Sequence, residues 1–358
     1  MSYVIPIGPY HPALEEPYKI ELTCDGERVK DAKQFVQFNS RGIEWLLERR
    51  NYIRDIALTE RVCGICSHLH TLVFCMAVER LADIKVPERA QYIRIIMAEL
   101  ERLVSHLLWL GIAAEIVGFQ TVFMTCFALR EKLMDVSENI SGNRVHFSMN
   151  CFGGVYRDIA DSESISRAIQ QVKQEIERTL IPVFSTDRTI RARCEGVGVL
   201  SREQAQAWGA VGPNARASGV PQDIRRASPY ATYDQLEFQI PVETSGDVLA
   251  RVVVRLLETL ESIRIIEQSL NRMRPGPINI NKYITVPQGE TTARAEAPRG
   301  ECFYYVASNG SDTPLRVKIR TPSFVNMPTV RLMVLGANLA DVPLIQASID
   351  PCYSCTSR

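Results

Sequence analysis

The sequence lacks an excess of charge of either sign. Its 358 residues include 41 lysines and arginines and 41 aspartates and glutamates, so the formal net charge is zero. Because no net field draws the chain to a polyanion, neither nucleic acid nor an anionic membrane surface is an expected partner. The apolar content of 46% is ample for a large core, which indicates a globular protein.

The sequence also lacks a secretion signal and a stretch expected to span a membrane. The first twenty residues have neither the basic start nor the unbroken apolar stretch of a secretion signal, which favours the cytoplasm and reduced cysteines. The strongest candidate for a membrane span, residues 107–129, carries Glu115 near its middle and Gly118, Gln120 and Thr121 soon after. A central acid costs about 2.5–3.5 kcal/mol on insertion scales, so we expect a helix buried in protein rather than in lipid.

Helical periodicity dominates the first half of the chain. Apolar spacing predicts helices over residues 43–57 and 65–82 and, with no proline after Pro87, over residues 86–140, the central bundle. Leucines at 100, 103, 107 and 110 mark one face of this stretch, whereas Glu99, Arg102 and His106 lie near one another on another face. Further helices are predicted over residues 162–180 and 247–273, the second with Asp247 as its N-cap.

Two hairpins flank this helical region. Residues 19–38 predict one hairpin with Asp25 and Gly26 in the turn, and residues 301–319 predict another about Asn309 and Gly310. No repeat, low-complexity tract or linker divides the chain, and residues 212–230, rich in Gly, Pro and Arg, predict an ordered loop. The sequence therefore predicts a helix-dominated α+β fold, a central multi-helix bundle with flanking hairpins, in a single domain over residues 1–358. Its predicted parts are the N-terminal hairpin (19–38), a helical core (43–186), a loop with helices (194–275), and a C-terminal hairpin with a metal-binding tail (296–358).

Two Cys-x-x-Cys pairs carry the chemistry that the sequence suggests. Cys63 and Cys66 form the first pair, and Cys352 and Cys355 form the second. Four soft ligands select zinc, an iron–sulfur cluster or nickel. Zinc ribbons keep their pairs about 15–20 residues apart, far closer than these pairs, but any metal could join two distant segments. Spacing alone therefore leaves zinc and a redox metal open.

The surroundings of both pairs indicate rigid, ionised thiols. The first pair lies at a loop-to-helix junction, where the positive end of the helix dipole lowers the pKa of a thiol. In the second, Asp350 and Pro351 fix the backbone ahead of Cys352. The other cysteines lack pair spacing and are expected to be small buried apolar residues: Cys24, Cys75, Cys126, Cys151, Cys194 and Cys302.

Several motifs of the sequence resemble those of a known family. "RVCGIC" with His70 four residues after Cys66, together with the terminal "DPCxxC", resembles the paired nickel-binding motifs of the large subunit of NiFe hydrogenases. Further matches are "SRGIE" (40–44), "EAPRGE" (296–301), "TPSF" (321–324) and the Arg-rich residues 216–230. The last two blocks, with "GPYHP" (8–12) and residues 99–111, are also similar to the quinone-module subunit of respiratory complex I, which lacks the four cysteines. A chain with both signatures resembles the energy-converting, membrane-associated hydrogenases of the Ech type.

The resemblance implies a Ni-Fe centre with CO and cyanide ligands on the iron. All four thiolates would bind nickel, with Cys63 and Cys352 terminal and Cys66 and Cys355 bridging to the iron. His70 would donate a hydrogen bond towards a cysteine sulfur, while His68, His106 and His146 are expected to be satisfied core residues.

Two further residues are implied to be catalytic. Glu16, in "HPALEEP", would relay the proton released at the metal, with Glu15 as the second candidate and two solvated loop acids as the alternative. Arg299 would lie over the diatomic ligands of the iron, which a permanent cation with several donors suits. The alternative for Arg299 is a salt bridge to Glu296 or Glu301.

A second metal ion is not favoured by this sequence. Glu44 matches a family ligand to Mg or Fe near the C-terminus, but the histidine expected three residues after the last cysteine is Arg358. Since a guanidinium cannot ligate a metal, we expect Arg358 to pair with Glu44 in place of the ion. The family's large subunits are commonly made with a C-terminal extension that a protease removes after nickel insertion. This sequence stops at the expected cut point, and both the processed form and a form made without an extension remain open.

The resemblance implies the catalytic subunit of a ferredoxin-linked NiFe hydrogenase that forms H2 reversibly. No ferredoxin-type signature remains among the other cysteines, so electrons must leave through another polypeptide. The implied partners are a small subunit with a 4Fe-4S cluster, a ferredoxin-like iron–sulfur subunit, integral-membrane ion-translocating subunits and ferredoxin. The chain would be peripheral, on the cytoplasmic side of the cell membrane. The alternatives are a metal-free quinone-module subunit like that of complex I and a zinc-stabilised structural subunit.

Overall fold

The computed structural model describes residues 2–10 and 16–358, which form small antiparallel sheets around a helical centre. Glu15, the second candidate for the proton relay, lies outside the described residues. The strands are β1 (Ser2–Ile7), β2 (Lys19–Asp25), β3 (Arg28–Phe35), β4 (Asn150–Cys151), β5 (Gly154–Val155), β6 (Gln288–Ala297), β7 (Gly300–Asn309) and β8 (Arg316–Arg320). The helices are α1 (Ile43–Leu47), α2 (Tyr52–Glu60), α3 (Ser67–Leu81), α4 (Glu88–Ile116), α5 (Gln120–Ser141), α6 (Ser162–Glu175), α7 (Ile181–Thr186), α8 (Arg188–Cys194), α9 (Arg202–Ala207), α10 (Gly212–Ala217), α11 (Ile224–Ala227), α12 (Val248–Arg272), α13 (Pro322–Asn326), α14 (Thr329–Val334), α15 (Val342–Ser348) and α16 (Tyr353–Ser357).

The predicted helix-dominated α+β fold with a central bundle is confirmed. In that bundle α4 packs against α5 and α12. A large part of its contact surface is apolar and fully buried, as at Leu103, Leu110 and Ile263. The predicted N-cap Asp247 accepts a hydrogen bond from the backbone N–H of Ala250, which satisfies one free donor at the start of α12.

Both predicted hairpins are present, and each belongs to a three-stranded antiparallel sheet. Asp25 pairs with Arg28, so Gly26 and Glu27 form the turn of the first hairpin, and Gly26 has the positive φ of 57° that such a turn requires. The added strands are β1 beside β2 and β6 beside β7. Sequence reasoning missed β6 because its inward positions are small alanines rather than large apolar residues.

The predicted helical segment 86–140 consists of two helices, since α4 ends at Ile116 and α5 begins at Gln120, with Gly118 between them at a φ of +85°. This break divides the apolar run 107–129, and within residues 2–10 and 16–358 no helix is long and apolar enough to cross a membrane. The segment 212–230 is ordered but contains α10 and α11, and its first helix begins with a proline at N1 or N2, where the missing N–H costs little.

Candidate metal centre

The four thiols of the two Cys-x-x-Cys pairs meet in the interior. Cys63 Sγ lies 3.3 Å from Cys352 Sγ, and Cys66 Sγ lies 3.5 Å from Cys355 Sγ, although each partner is 289 residues away along the chain. All four side chains are buried. The sulfurs of Cys63, Cys66 and Cys355 all lie within 4.8 Å of one another. The segments that carry the thiols are therefore already folded around one small volume.

Both pairs are placed by the start of a helix. Cys66 is the N-cap of α3 and Cys352 is the N-cap of α16. Backbone N–H groups donate to the first sulfur of each pair: Cys66 N to Cys63 Sγ at 3.3 Å, and Cys355 N to Cys352 Sγ at 3.4 Å. Helix N-termini and N–H donors stabilise thiolates. For Cys352, the hydrogen bond with Cys355 would lower the pKa, but the bond with Cys63 and burial raise that pKa to about 12.

The donor set fits a soft divalent metal. Thiolates bound at about 2.3 Å to one ion lie about 3.3–3.8 Å apart, which matches both measured sulfur–sulfur distances. Hydrogen bonds from Cys355 and Cys63 lower the pKa of Cys66 to about 7, whereas hydrogen bonds to the other three thiols and burial raise the pKa of Cys355 well above 9. The four thiols therefore cannot all ionise without a cation among them.

The tail that carries the second pair is held by the "TPSF" segment. The Thr321 hydroxyl donates to the carbonyl oxygen of Cys355 at 3.1 Å, and Cys352 N donates to Ser323 Oγ at 3.0 Å. These bonds anchor both cysteines of the pair through their backbone, which explains why this motif accompanies the thiols.

His70 lies one helical turn after Cys66 and reaches the opposite pair. Its Nε2 is 3.4 Å from Cys355 Sγ, and its Nδ1 is 2.8 Å from the Tyr304 hydroxyl. Burial raises the pKa of Tyr304 well above its usual value, so the hydroxyl keeps its proton and can donate to Nδ1. If the hydroxyl donates to Nδ1, Nε2 carries the ring proton and directs it at the sulfur. Sequence reasoning missed Tyr304, although alternation along β7 puts it on the same inward face as Cys302.

Arg299 occupies the two-residue turn between β6 and β7, where Ala297 pairs with Gly300. Its Nη2 lies 2.6 Å from Asp350 Oδ1, and its Nε donates to the carbonyl oxygen of Asp350 at 2.7 Å. Burial alone would lower the pKa of Arg299, but the Asp350 carboxylate and the neighbouring cysteine sulfurs together outweigh it and raise that pKa. The buried Arg299 guanidinium is thus paired with Asp350, which lies two residues before Cys352.

The alternative partners predicted for Arg299 are wrong. Glu296 instead binds Arg216 at 2.8 Å, and Glu301 binds Arg320 at 2.8 Å. Asp350 was singled out in the sequence only for its effect on the backbone, whereas its carboxylate is the counter-ion. The signal that could have identified it is an acid next to a metal-ligand pair, since buried guanidinium groups require a nearby anion.

Glu16 caps the N-terminus of α16. Its Oε2 accepts hydrogen bonds from Tyr353 N at 2.8 Å and Ser354 N at 3.2 Å. Burial is the main cause that raises the pKa of this carboxyl. Glu16, Arg299 and Cys352 line one cavity of about 80 Å³, whose other walls include Trp109 and Ile65. Three residues that the resemblance implied, Glu16, Arg299 and Cys352, therefore line the same cavity.

Glu44 and Arg358 lie together at the edge of the site. Arg358 Nε donates to Glu44 Oε1 at 3.1 Å, and Lys318 Nζ donates to Glu44 Oε2 at 2.7 Å. Burial would raise the pKa of Glu44, but these cations and the Ile319 amide lower it below its ordinary value. Both carboxylate oxygens thus have cationic partners from the protein.

Behind the site, the polar face of α4 is fully buried in a layer of charges. Glu99 accepts bonds from Arg102 at 3.0 Å and Arg225 at 3.0 Å. Glu258 of α12 binds His106 at 2.8 Å and Arg216 at 2.7 Å. The Arg-rich segment thus supplies the cations Arg216 and Arg225 to the bundle, a role that sequence reasoning did not assign.

We expect Glu99→Gln to lower the free energy of unfolding by about 3–5 kcal/mol at pH 7, because two buried guanidinium groups would lose their shared carboxylate. Urea denaturation measures the change, with Glu115→Gln on the exposed face of the same helix as the control. Burial would raise the pKa of Glu99, but Arg102 and Arg225 outweigh it and lower the pKa to about 2.

That lowered pKa gives the prediction a pH signature. A carboxylate whose pKa is lower when folded stabilises the protein above its ordinary pKa of 4.5, and the contribution is lost as the pH falls towards about 2. The stability gap between the native chain and Glu99→Gln should therefore be constant above about pH 5.5 and narrow below it. Equal stability of the two proteins at pH 7 would contradict the prediction.

The sequence of the chain matches the models of two known protein families. Residues 117–285 and 279–358 match the model of the 49 Kd subunit of respiratory-chain NADH dehydrogenase, and residues 41–111 match the model of nickel-dependent hydrogenases. The first pair of cysteines lies in the hydrogenase match and the second lies in the NADH dehydrogenase match. The chain therefore combines a hydrogenase-type segment with the first cysteine pair and a complex I-type segment with the second.

Individual relatives match along nearly the whole chain. The carbon monoxide-induced hydrogenase of Rhodospirillum rubrum is 42% identical, covering 100% of this chain and 99% of the relative. The membrane-bound hydrogenase subunit alpha of Pyrococcus furiosus is also 42% identical, covering 99% of this chain and 87% of the relative. The solved membrane-bound sulfane sulfur reductase, an archaeal respiratory membrane complex, aligns with a TM-score of 0.95 at 35% identity over 100% of this chain and 98% of that chain. The chain belongs to the family of NiFe hydrogenase large subunits and complex I 49 kDa subunits, as the resemblance predicted.

Proposed function

We propose that this chain is the catalytic subunit of a ferredoxin-linked NiFe hydrogenase that interconverts H2 with protons and electrons. The observation that carries the proposal is the convergence of four buried thiols at 3.3 and 3.5 Å from two distant Cys-x-x-Cys pairs. Four thiolates at these distances would repel one another, and a bound metal cation would offset that repulsion. The hydrogenase names of the two relatives at 42% identity favour the same activity.

Each residue of the site has a role under this proposal. All four thiolates would hold the Ni-Fe group, whose iron carries CO and cyanide ligands in the family that the chain resembles. When bound, this group supplies the change of oxidation state by which H2 yields two protons and two electrons. Arg299 provides a fixed, buried cation for anionic ligands, and Asp350 holds that cation in place.

Proton movement is assigned to Cys352 and Glu16. A terminal thiolate such as Cys352 takes the proton first, and the Glu16 carboxyl, which lines the same cavity, takes it next. Its exposed fraction is intermediate, so Glu16 can pass the proton outwards. His70 keeps its ring proton directed at Cys355 Sγ, which stabilises negative charge on that sulfur.

The proposed setting is a membrane-associated complex. The names of the relatives include a membrane-bound hydrogenase and a respiratory membrane complex. We assign this chain as a peripheral subunit on the cytoplasmic side, with a 4Fe-4S small subunit, a ferredoxin-like iron–sulfur subunit and ion-translocating membrane subunits as partners. The other six cysteines are buried, and among the described residues only Cys63, Cys66 and Cys355 are grouped as metal ligands. Electrons would therefore leave through another polypeptide, and ferredoxin is the proposed carrier.

A second candidate, a metal-free quinone-module subunit, is favoured by the match to the NADH dehydrogenase 49 Kd model. A zinc-stabilised structural subunit would use the same four sulfurs. Elemental analysis of the purified complex, with infrared spectroscopy, distinguishes the three. We expect nickel and iron in the chain and infrared bands from bound CO and cyanide. Zinc without nickel, or four free thiols with no metal, would overturn the proposal.

A further inference from the structure

Arg41, in the "SRGIE" segment, connects the two thiol-bearing segments through their backbones. Its Nη1 donates to the carbonyl oxygen of Arg61 at 2.7 Å, and its Nη2 donates to the carbonyl oxygen of Val62 at 2.9 Å. The same Nη2 donates to the carbonyl oxygen of Ser354 at 2.8 Å. One guanidinium therefore holds Arg61 and Val62, just before Cys63, and Ser354, just before Cys355.

The acceptors suit a guanidinium rather than any other side chain. Arg61 is the C-cap of α2, where carbonyl oxygens lack helical partners and carry partial negative charge. A planar group with several fixed donors can serve three carbonyl oxygens on two segments, whereas a lysine ammonium is a compact charge on a flexible stem. Three residues along the chain, Glu44 binds Arg358, so this segment contacts the tail at a second point.

We propose that Arg41 is a positioning residue that fastens the two Cys-x-x-Cys segments together and so sets the separation of the thiol pairs. It acts through backbone carbonyl oxygens. The purpose of the arrangement rests on the proposed nickel site, but the fastening itself is a property of the protein and can be tested without metal.

The test uses the full chain freed of metal with a chelator under reducing conditions. Alkylation by N-ethylmaleimide is followed for each cysteine by mass spectrometry in the native chain, Arg41→Met and Arg41→Lys. Arg28→Met is the matched control, because Arg28 is exposed and donates to the carbonyl oxygen of Gly336 at 2.9 Å, in the N-terminal sheet region. Cys126 and Cys194, buried in the helical core, report any general loosening.

In Arg41→Met we expect the alkylation rates of Cys352 and Cys355 to rise about tenfold or more, as for loss of a charge-assisted hydrogen bond. The rates of Cys126 and Cys194 should stay unchanged, and Arg41→Lys should lie between Arg41→Met and the native chain. Arg28→Met should match the native chain at every cysteine. A purely structural role for Arg41 would instead raise all rates together.

Two results would overturn the proposal: unchanged rates at Cys352 and Cys355, or a rise shared by Cys126 and Cys194. If Arg41→Met does not yield folded protein, the ratio of the Cys355 rate to the Cys126 rate in Arg41→Lys decides, and a ratio equal to that of the native chain overturns it. Nickel analysis of the native complex separates this inference from the proposed function. Tail opening in Arg41→Met with no nickel in the native chain would refute the function and leave the fastening intact.

Discussion

Glu16→Gln is expected to abolish H2 turnover while leaving the nickel and iron content unchanged. Glutamine keeps the shape of the side chain, and its carbonyl oxygen can still accept from Tyr353 N and Ser354 N, so the tail should remain in place. An amide cannot take up a proton at neutral pH, however, and the cavity shared with Cys352 would lose its carboxyl group. Hydrogen uptake with an artificial electron acceptor, together with elemental analysis of the same sample, measures both halves of the prediction.

A matched control for Glu16→Gln is Glu27→Gln, which changes an exposed glutamate in the turn of the N-terminal hairpin. This variant should keep full activity. Turnover retained in Glu16→Gln would move the relay to another group, and Glu15 would then be the next residue to replace. Loss of nickel in Glu16→Gln would show instead that the carboxylate is needed to cap α16 and hold the tail.

Cys355→Ala is expected to reduce bound nickel to less than about a tenth of the native content, because one of the four proposed thiolate ligands is lost, and it is one of the three whose sulfurs lie within 4.8 Å of one another. Cys355 Sγ also contacts His70 Nε2, so the truncation removes the acceptor of that ring as well. Elemental analysis of complexes purified in parallel measures the loss. Cys126→Ala is the control, since it truncates an equally buried thiol in the helical core.

The two cysteine variants separate a metal role from a packing role. Both remove a buried sulfur and leave a small cavity, so both should lose some thermal stability. Nickel should fall only in Cys355→Ala. Equal nickel content in the two variants would show that the metal is held elsewhere, and the interpretation of the four thiols would fail.

The features that could be predicted from sequence are those written in local patterns. Apolar spacing predicted α3 and α12, because a helix that buries one face repeats every three to four residues. The turn signals at Gly26 and Asn309 located the hairpins, and the paired cysteines marked the four thiols that meet in the interior. By contrast, the break at Gly118 lies within a segment whose helical periodicity continues on both sides, so the periodicity carries no sign of a change in direction.

The contacts that complete the site could not be predicted in this way. Arg299 pairs with Asp350 rather than with the glutamates beside it in sequence, because the β6–β7 turn points it towards the tail. Arg41 joins backbone carbonyl oxygens that lie far apart in the chain. Every residue has a carbonyl oxygen, so the residue types do not indicate which of them accept a hydrogen bond. The charges of α4 looked like a polar face, yet Arg216 and Arg225 bury it with counter-charges from a distant segment.

The long separation of the thiol pairs has a consequence for how the protein is made. Cys63 and Cys352 are 289 residues apart, so a ribosome that adds about 5–20 residues per second produces the second pair roughly 15–60 s after the first. During translation, the nascent chain exposes two ligands without the other two. A soft ion captured in that interval would meet half a coordination sphere, so correct loading has to wait until synthesis has passed the second pair.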